Sequence, residues 1–147
     1  MSKVLGVDYG ERRTGVAISD ESRMIAFPRE TLDCPRVEQA AAAVARLAEA
    51  EKIVEIVIGY PLNMDGSQGP RTARTDEFLA ELAKRTAIPL RKWDERLSTK
   101  IAEAVLIEAG TRREKRRGVV DKLAAQVILQ GYLDATTSAV PNGGDAV

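Results

Sequence analysis

The sequence predicts an α/β domain in which a single mixed sheet is covered by helices. Three observations predict this class. The first third of the chain carries short apolar runs separated by turn residues, which is typical of an antiparallel meander. The remainder alternates strand-like apolar runs with longer helical segments, which is typical of parallel strands joined by helices. The length of 147 residues suits one such domain and is too short for two lobes, and the hydrophobic content of 44% is typical of a soluble globular protein.

The N-terminal elements are predicted as a meander of three strands. Residues 3–9 form an apolar strand, residues 10–13 a turn and residues 14–19 a second strand. A third strand over residues 24–32 is expected at an edge of the sheet, because Pro28 cannot donate a ladder hydrogen bond.

The middle of the chain is predicted to alternate helices and strands. The alanine-rich segment 37–52 predicts a helix, and the nearly continuous apolar run 53–60 predicts a buried central strand. A polar loop at residues 61–70 leads to a second helix over 71–85, which is followed by a fifth strand over 88–93.

The C-terminal third is predicted as two helices joined by a basic loop. Ser98 or Thr99 caps a helix that ends before Gly110. A last helix starts at Asp121 and runs to about Leu133, after which the chain is expected to fray. We expect one domain over residues 1–137 and a flexible C-terminal tail over 138–147.

Composition excludes several classes of function. The chain has no histidine, which excludes Ser-His-Asp and Cys-His catalysis and any His-ligated zinc site. Aromatic content is only 4%, which argues against a stacking surface for single-stranded bases. Cys34 is the single cysteine, so no internal disulfide forms. Neither a signal peptide nor a membrane-spanning run is visible, and we expect a cytoplasmic protein that makes no membrane contact.

Three acidic residues stand near the ends of predicted elements: Asp8, Glu95 and Asp121. A carboxylate inside an apolar strand, such as Asp8, costs free energy unless a partner compensates its charge. In open sheets the functional crevice lies at the carboxyl ends of the strands, where the three acids can converge. Converging carboxylates repel one another unless they share a cation, and their oxygens favour Mg²⁺ or Mn²⁺. The sequence therefore predicts a set of metal-binding acids.

Each of these acids also has a structural alternative. Asp121 can be a helix N-terminal residue that the helix dipole stabilises, and Glu95 can pair with Arg96 at the surface. Asp94 can replace Glu95 as the inward-facing acid, because alternation along a strand points only one of the two inward. Asp8 has the weakest alternative, since the interior of a strand gives an acid little structural use.

Cations cluster in two places although the net charge of the chain is zero. One pair lies in the first turn, and five cations occupy six positions shortly before Asp121. These residues are Arg12 and Arg13 in the turn, and Arg112, Arg113, Lys115, Arg116 and Arg117 in the second cluster. We expect the second cluster to form a mobile loop that contacts phosphates beside the acids without reading bases. The alternative is a solvated loop that contacts nothing.

The loop at residues 61–70 is a second candidate for contacts with phosphate. The backbone amides of Gly66, Ser67 and Gly69 can approach a phosphate closely. Asn63 and Ser67 can donate side-chain hydrogen bonds to a substrate backbone. An ordinary strand-to-helix connection that needs glycine for its turn explains the same residues equally well.

Four blocks of sequence together resemble the YqgF/RuvX family. They are GVDYG at 6–10 with RTGVA at 13–17, GYPLNMDGS at 59–67, DERLST at 94–99 and DKLAA at 121–125. The resemblance implies an RNase H-like fold, and the family is described as a Holliday-junction resolvase or as a nuclease that matures the 5′ end of pre-16S rRNA. On this resemblance, Asp8, Glu95 and Asp121 take the positions of the catalytic, metal-binding acids.

The expected function is metal-dependent hydrolysis of phosphodiester bonds in structured nucleic acid. Two divalent ions about 3.5–4 Å apart can activate water and stabilise both the attacking and the leaving oxygen. Asp8 is expected to bridge the ions, with Glu95 and Asp121 holding one each. Precursor ribosomal RNA is the first expected substrate and branched DNA the second. A branched substrate would favour a two-fold homodimer.

Two other classes of function remain open from the sequence. The first strand, turn and Thr14-Gly15 resemble the phosphate-binding hairpin of actin-like sugar kinases and ATPases, but those proteins close two lobes around a nucleotide. A non-catalytic nucleic-acid-binding regulator of transcription, or a factor in ribosome assembly, is the other class. The three acids argue against it, because carboxylates facing phosphates weaken simple binding.

Overall fold

Five strands and three helices make up the part of the chain that the structure describes. The computed structural model describes residues 2–63, 65–94 and 113–138. In chain order, the elements are β1 (Val4–Asp8), β2 (Arg13–Ser19), β3 (Ala26–Asp33), α1 (Val37–Ala50), β4 (Glu55–Tyr60), α2 (Pro70–Ala83), β5 (Leu90–Asp94) and α3 (Arg113–Ser138).

The five strands form one mixed sheet in the order β3-β2-β1-β4-β5. β1 and β2 are antiparallel, as are β2 and β3, whereas β4 is parallel to both β1 and β5. The predicted five-stranded sheet is therefore confirmed. The order of the strands reverses between β1 and β4, because the meander extends to one side of β1 and the later strands to the other.

Both faces of the sheet are covered by helices. Side chains alternate along each strand between a core beneath α1 and α2 and a core beneath α3. Leu5, Val7 and Ile58 belong to a core that includes Val44 of α1 and Phe78 of α2. The opposite face is covered by α3, and the residues buried there are Val4, Ala17, Ala26, Val57, Ala125, Ile128, Leu129 and Leu133. Each large aliphatic side chain buried in this way contributes about 1.5–3 kcal/mol.

Polar side chains fix the C-terminal half of α3 to the start of β3. Gln126 Nε2 donates to the carbonyl oxygen of Ala26 (3.0 Å), and the amide of Ala26 donates to Gln130 Oε1 (2.8 Å). Gln130 Nε2 donates in turn to the carbonyl oxygen of Met24 (2.9 Å). Two glutamines one helical turn apart thus fix the position of α3 along the sheet.

A buried carboxylate joins α3 to β4 and β5, on the other side of β1 from β3. Glu55, the first residue of β4, forms an ion pair with Arg23 (2.7 Å) and another with Arg91 (2.7 Å). It also accepts a hydrogen bond from the Tyr132 hydroxyl (2.9 Å). Burial alone would raise the pKa of Glu55, but the hydrogen bonds from Arg91 and Tyr132 and the charge of Arg23 outweigh it, so this pKa lies below its ordinary value.

Two predictions about the C-terminal third are wrong. Residues 113–118 were expected in a loop, but they are the first described residues of α3, and Asp121 lies well inside this helix. Gly118 costs only about 1 kcal/mol inside a helix, and its Arg, Lys and Glu neighbours are good helix formers. The helix also continues past the expected fraying point to Ser138, and Thr136 Oγ1 donates to the carbonyl oxygen of Tyr132 (3.0 Å).

The other described elements agree with their predicted bounds to within two residues at each end. The helix predicted over residues 99–109 lies outside the described residues, as do all residues of the predicted tail 138–147 except Ser138. Within the described part of the chain, no helix is both long and apolar enough to cross a membrane.

Candidate active site

The carboxyl ends of three parallel strands form one edge of the sheet. β1 ends at Asp8, β4 at Tyr60 and β5 at Asp94. Val7 is level with Ile58, and Tyr60 is level with Asp94. Asp8 and Asp94 therefore end strands at the same edge, with β4 between them, at the place where the strand order reverses. Ligands of open α/β sheets bind at such an edge.

Asp8 lies on the face of the sheet that α3 covers. Leu5 and Val7 pack in the core beneath α1 and α2, whereas Val4 packs against α3 and Gly6 contacts Leu129 of that helix. Since side chains alternate along a strand, Asp8 shares the face of Val4 and Gly6. Its carboxylate is half-buried.

Two glycines shape the surroundings of Asp8, one by leaving space beside it and the other by letting α3 pack closely. Gly15 is directly opposite Asp8 on β2, so no side chain stands beside the carboxylate at that position. Gly6 lies two residues before Asp8, and a Cβ there would be 2.7 Å from Leu129 Cβ and 3.1 Å from the carbonyl oxygen of Ala125. Glycine is therefore required at residue 6 for α3 to approach β1 this closely.

The backbone of α3 leads from the far end of the sheet toward Asp8. Tyr132 contacts Glu55, which is level with Val4, whereas Ala125 lies against Gly6. The helix therefore advances along β1 as it is followed toward its N-terminus. Asp121 is the residue one turn before Ala125 in this direction, and its side chain lies outside the described residues.

Asp94 lies on the opposite face from Asp8. Trp93 packs against Gly131 and edge-on to Tyr132 of α3, at a ring-centroid distance of 6.0 Å. Alternation therefore places Asp94 on the side of α2. On that side, Lys92 lies 4.5 Å from the ring centroid of Tyr60. This placement argues against Asp94 as the acid that joins Asp8.

The predicted trio of acids stays a prediction. Glu95 and the side chain of Asp121 lie outside the described residues. Among the side chains that are described, no group of three or more His, Cys, Asp or Glu residues is close enough to hold a metal ion. What the structure does establish is the position of Asp8 and the course of the helix that carries Asp121.

The cations predicted to bind nucleic acid lie in two segments. Arg12 is exposed in the β1–β2 turn, and Arg13 is the half-buried first residue of β2. Four further cationic residues belong to the first two turns of α3, namely Arg113, Lys115, Arg116 and Arg117. Their side chains, and the whole of Arg112, lie outside the described residues. The turn follows Asp8 directly, and the basic turns of α3 precede Asp121.

The loop between β4 and α2 is held by its own hydrogen bonds. Asn63 Nδ2 donates to Ser67 Oγ (3.0 Å), and Ser67 Oγ donates to Asp65 Oδ1 (2.6 Å). The amide of Ser67 donates to the same Asp65 oxygen (2.9 Å), and the amide of Gly66 donates to the carbonyl oxygen of Asn63 (2.8 Å). Both side chains predicted to contact substrate are exposed, but each already takes part in the turn.

The two glycines of this loop serve its turn. Gly66 has a positive φ of 89°, which favours glycine, and the amide of Gly69 donates to Thr72 Oγ1 (3.2 Å). The amides of Gly66, Ser67 and Gly69 therefore all have acceptors within the chain. This favours the strand-to-helix connection over a phosphate cradle built from these amides.

Sequence reasoning missed two arginines beside this edge. Arg71 and Arg74, on the first turns of α2, line a cavity of about 170 Å³ together with Tyr9, Gly10, Glu11 and Thr75. Their three-residue spacing after the glycine-rich loop was a visible signal, since residues at that spacing share one helix face.

Thr72 was also missed, although its hydroxyl donates to the carbonyl oxygen of Pro61 (2.6 Å) and joins the loop to α2.

Comparison with known proteins gives consistent matches. The sequence model of a family described as "RuvX: Holliday junction resolvase" matches residues 2–135. A protein of Halothermothrix orenii named "Putative pre-16S rRNA nuclease" is 48% identical over 132 residues, which cover 90% of this chain and 94% of that protein. One of the same name from Symbiobacterium thermophilum is 45% identical over 139 residues, which cover 95% and 96% of the two chains.

Two solved structures share the fold at low sequence identity. RuvC of T. thermophilus in complex with a Holliday junction substrate superposes with a TM-score of 0.60 at 14% identity, covering 93% of this chain and 96% of that one. The Fowlpox virus resolvase in complex with Holliday junction DNA gives a TM-score of 0.57 at 12% identity, covering 90% and 97%. These likenesses confirm the predicted RNase H-like fold.

Proposed function

This chain belongs to the RuvX family, and we propose that it is a metal-dependent nuclease that hydrolyses phosphodiester bonds in structured nucleic acid. The first proposed substrate is the precursor of 16S rRNA, because relatives with 45–48% identity carry that name. Precursor rRNA is made inside the cell, so the proposal includes a cytoplasmic location. Branched DNA is the second candidate, and the description of the family favours it. A two-fold homodimer is part of this second candidate alone.

The position of Asp8 carries the proposal. It is a half-buried carboxylate at the carboxyl end of β1, next to the reversal of strand order and on the face covered by α3. Gly6 lets α3 lie directly on β1, and the next turn of that helix carries Asp121. This backbone arrangement supports the proposed convergence of Asp8 and Asp121, and in the sequence Glu95 directly follows the last residue of β5.

The donor set suits a hard divalent cation. Asp8, Glu95 and Asp121 would supply oxygen ligands only, as Mg²⁺ and Mn²⁺ prefer, and Gly15 leaves room beside Asp8. When bound, one or two such ions would lower the pKa of water and neutralise charge on the phosphate. The three acids would hold the ions and keep them at the end of β1.

The cations of the chain would bind the sugar-phosphate backbone on either side of this edge. Arg12 and Arg13 follow Asp8 in the β1–β2 turn, and the basic turns of α3 precede Asp121. Phosphate contacts of this kind position a nucleic acid without reading its sequence. Asn63 and Ser67 are exposed at the β4–α2 loop and are proposed to add hydrogen bonds to the same backbone.

A cleavage assay with three substrates tests the proposal. Junction DNA, plain duplex and a precursor-rRNA leader are offered side by side with Mg²⁺, with Mn²⁺ and with EDTA. We expect cleavage of the rRNA leader in either metal and none in EDTA. Preferential cutting of the junction would favour the second candidate, and metal-independent cutting or no cutting of any substrate would contradict the proposed function.

A further inference from the structure

A small notch lies next to Asp8, on the face of the sheet opposite to α3. We use this name for the cavity of about 170 Å³ lined by Tyr9, Gly10, Glu11, Arg71, Arg74 and Thr75. Tyr9 directly follows Asp8, and its ring stacks on Phe78 with 4.6 Å between centroids. One wall of the notch is therefore fixed to the hydrophobic core and begins one residue beyond the proposed metal ligand.

An ion pair spans the notch. Arg74 Nε lies 2.7 Å from Glu11 Oε2, and the two side chains are 42% and 67% exposed. A pair this exposed contributes only about 0–1 kcal/mol to stability, so another anion can replace the carboxylate at little cost. A guanidinium binds phosphate with the same fork of N–H donors that it offers to a carboxylate.

The lining of the notch carries both signs of charge, because Glu11 stands there with Arg71 and Arg74 and pairs with Arg74. An anion is therefore not attracted here by net charge alone. It needs the directed hydrogen bonds of Arg74 and Arg71, and removal of one nearby carboxylate should make binding stronger.

We propose that the notch binds a backbone phosphate of the nucleic-acid substrate. Glu11 is paired with Arg74 until this phosphate displaces the Glu11 carboxylate. The inference rests on the proposed function, because the bound phosphate would belong to the same nucleic acid that is cleaved at Asp8. Arg71 lines the same notch and supplies a second guanidinium. The contact would orient the strand at the catalytic edge without selecting a base.

The two sides of the ion pair then have opposite effects on binding. Arg74→Ala removes a phosphate ligand and should weaken nucleic-acid binding about tenfold, which corresponds to one charge-assisted hydrogen bond. Glu11→Gln removes the competing carboxylate and should strengthen binding by about two- to fivefold. An ion pair that only joins the β1–β2 turn to α2 would be broken equally by both changes, so both would shift affinity in the same direction.

The chain offers a matched control near the C-terminal end of α2. Arg85 and Glu81 also form an ion pair of 2.7 Å, at the far end of α2 from the notch. Arg85→Ala and Glu81→Gln alter the net charge by the same amounts as the notch variants. Their effect on affinity should stay below about twofold, since screening at physiological salt limits the influence of distant charges.

The test is a fluorescence-anisotropy titration of a labelled RNA duplex with wild type and the four variants, with Ca²⁺ replacing Mn²⁺ to suppress cutting. Opposite shifts for Arg74→Ala and Glu11→Gln, with both controls near wild type, would support the notch. Shifts of the same sign, or equal gains for Glu11→Gln and Glu81→Gln, would overturn it. Because binding is read without cleavage, failure of the proposed nuclease activity would be seen separately, in the Mn²⁺ assay of the wild type.

Discussion

Two acids inside apolar strands of this chain have different uses, and their positions show why. Asp8 ends β1 at the carboxyl edge of the sheet, whereas Glu55 begins β4 at the opposite edge. Glu55 is about 8% exposed and is compensated by Arg23, Arg91 and Tyr132. An acid in a strand therefore does not by itself indicate catalysis. Its place at the carboxyl edge makes Asp8 the functional candidate.

The Glu55 cluster predicts a specific dependence of stability on pH. Because the folded-state pKa of Glu55 is lowered from 4.5, its stabilising contribution is complete above about pH 4.5 and is lost as the pH falls through the folded-state value. Glu55→Gln should lower the free energy of unfolding at neutral pH by about 3 kcal/mol. Urea unfolding of wild type and Glu55→Gln over a series of pH values measures the free energy of unfolding of each.

The informative quantity is the difference in unfolding free energy between wild type and Glu55→Gln, since other carboxylates titrate in the same pH range. We expect the gap in unfolding free energy to narrow as the pH falls below 4.5. A gap that stays constant or widens toward acid pH would show that the Glu55 charge does not stabilise the fold.

At the scale of elements, α3 determines whether the proposed site can form. Its C-terminal half is fixed by Gln126, Gln130 and Tyr132, and its middle lies against Gly6. A helix anchored at these points carries Asp121 toward the end of β1. Displacement of α3 should therefore affect catalysis as well as stability.

Gly6→Ala tests this dependence. The new methyl group would meet Leu129 Cβ at 2.7 Å, so α3 must move away from β1, and we expect a loss of about 1–3 kcal/mol in the free energy of unfolding. Cleavage should fall by more than tenfold in protein that remains folded at the assay temperature. Thermal denaturation and single-turnover cleavage measure the two effects.

Gly131→Ala is the matched control. Its added methyl group would meet only the edge of the Trp93 ring, at 3.3 Å or more, and alanine favours the helix by about 1 kcal/mol over glycine. Stability and cleavage should stay close to wild type. Full activity of Gly6→Ala, despite a lowered melting temperature, would contradict the role given to the close approach of α3.

The same helix shows where sequence reasoning fails at this scale. Gly118 after a run of cations predicted a loop, because glycine and charge are common outside regular structure. Helix propensity is a weak local preference, and the packing of Ala125, Ile128 and Leu129 against the sheet stabilises the helix. Local composition could not show this, since the stabilising contacts come from β1, β2, β3 and β4, which lie far from the helix in the sequence.

At the scale of the molecule, the mixed five-stranded sheet and the position of Asp8 late in its first strand followed from the sequence. Turn residues and apolar runs specified the meander and the parallel strands, and the rule for open sheets then placed Asp8 at a functional edge. The notch could not be predicted in this way. Glu11 and Arg74 lie in distant segments, and only the packing of α2 beside the β1–β2 turn brings them together.

The central claim is that catalysis depends on Asp8 and on the face of the sheet that α3 covers. Asp8→Asn and Asp94→Asn test it directly, because both remove one carboxylate from the same edge but on opposite faces. Single-turnover cleavage of the preferred substrate in Mn²⁺ should fall by about a thousandfold or more for Asp8→Asn. Asp94→Asn should stay within about threefold of wild type, and both variants should keep the wild-type circular dichroism spectrum. Near-normal cleavage by a folded Asp8→Asn protein, or a larger loss for Asp94→Asn, would contradict the claim.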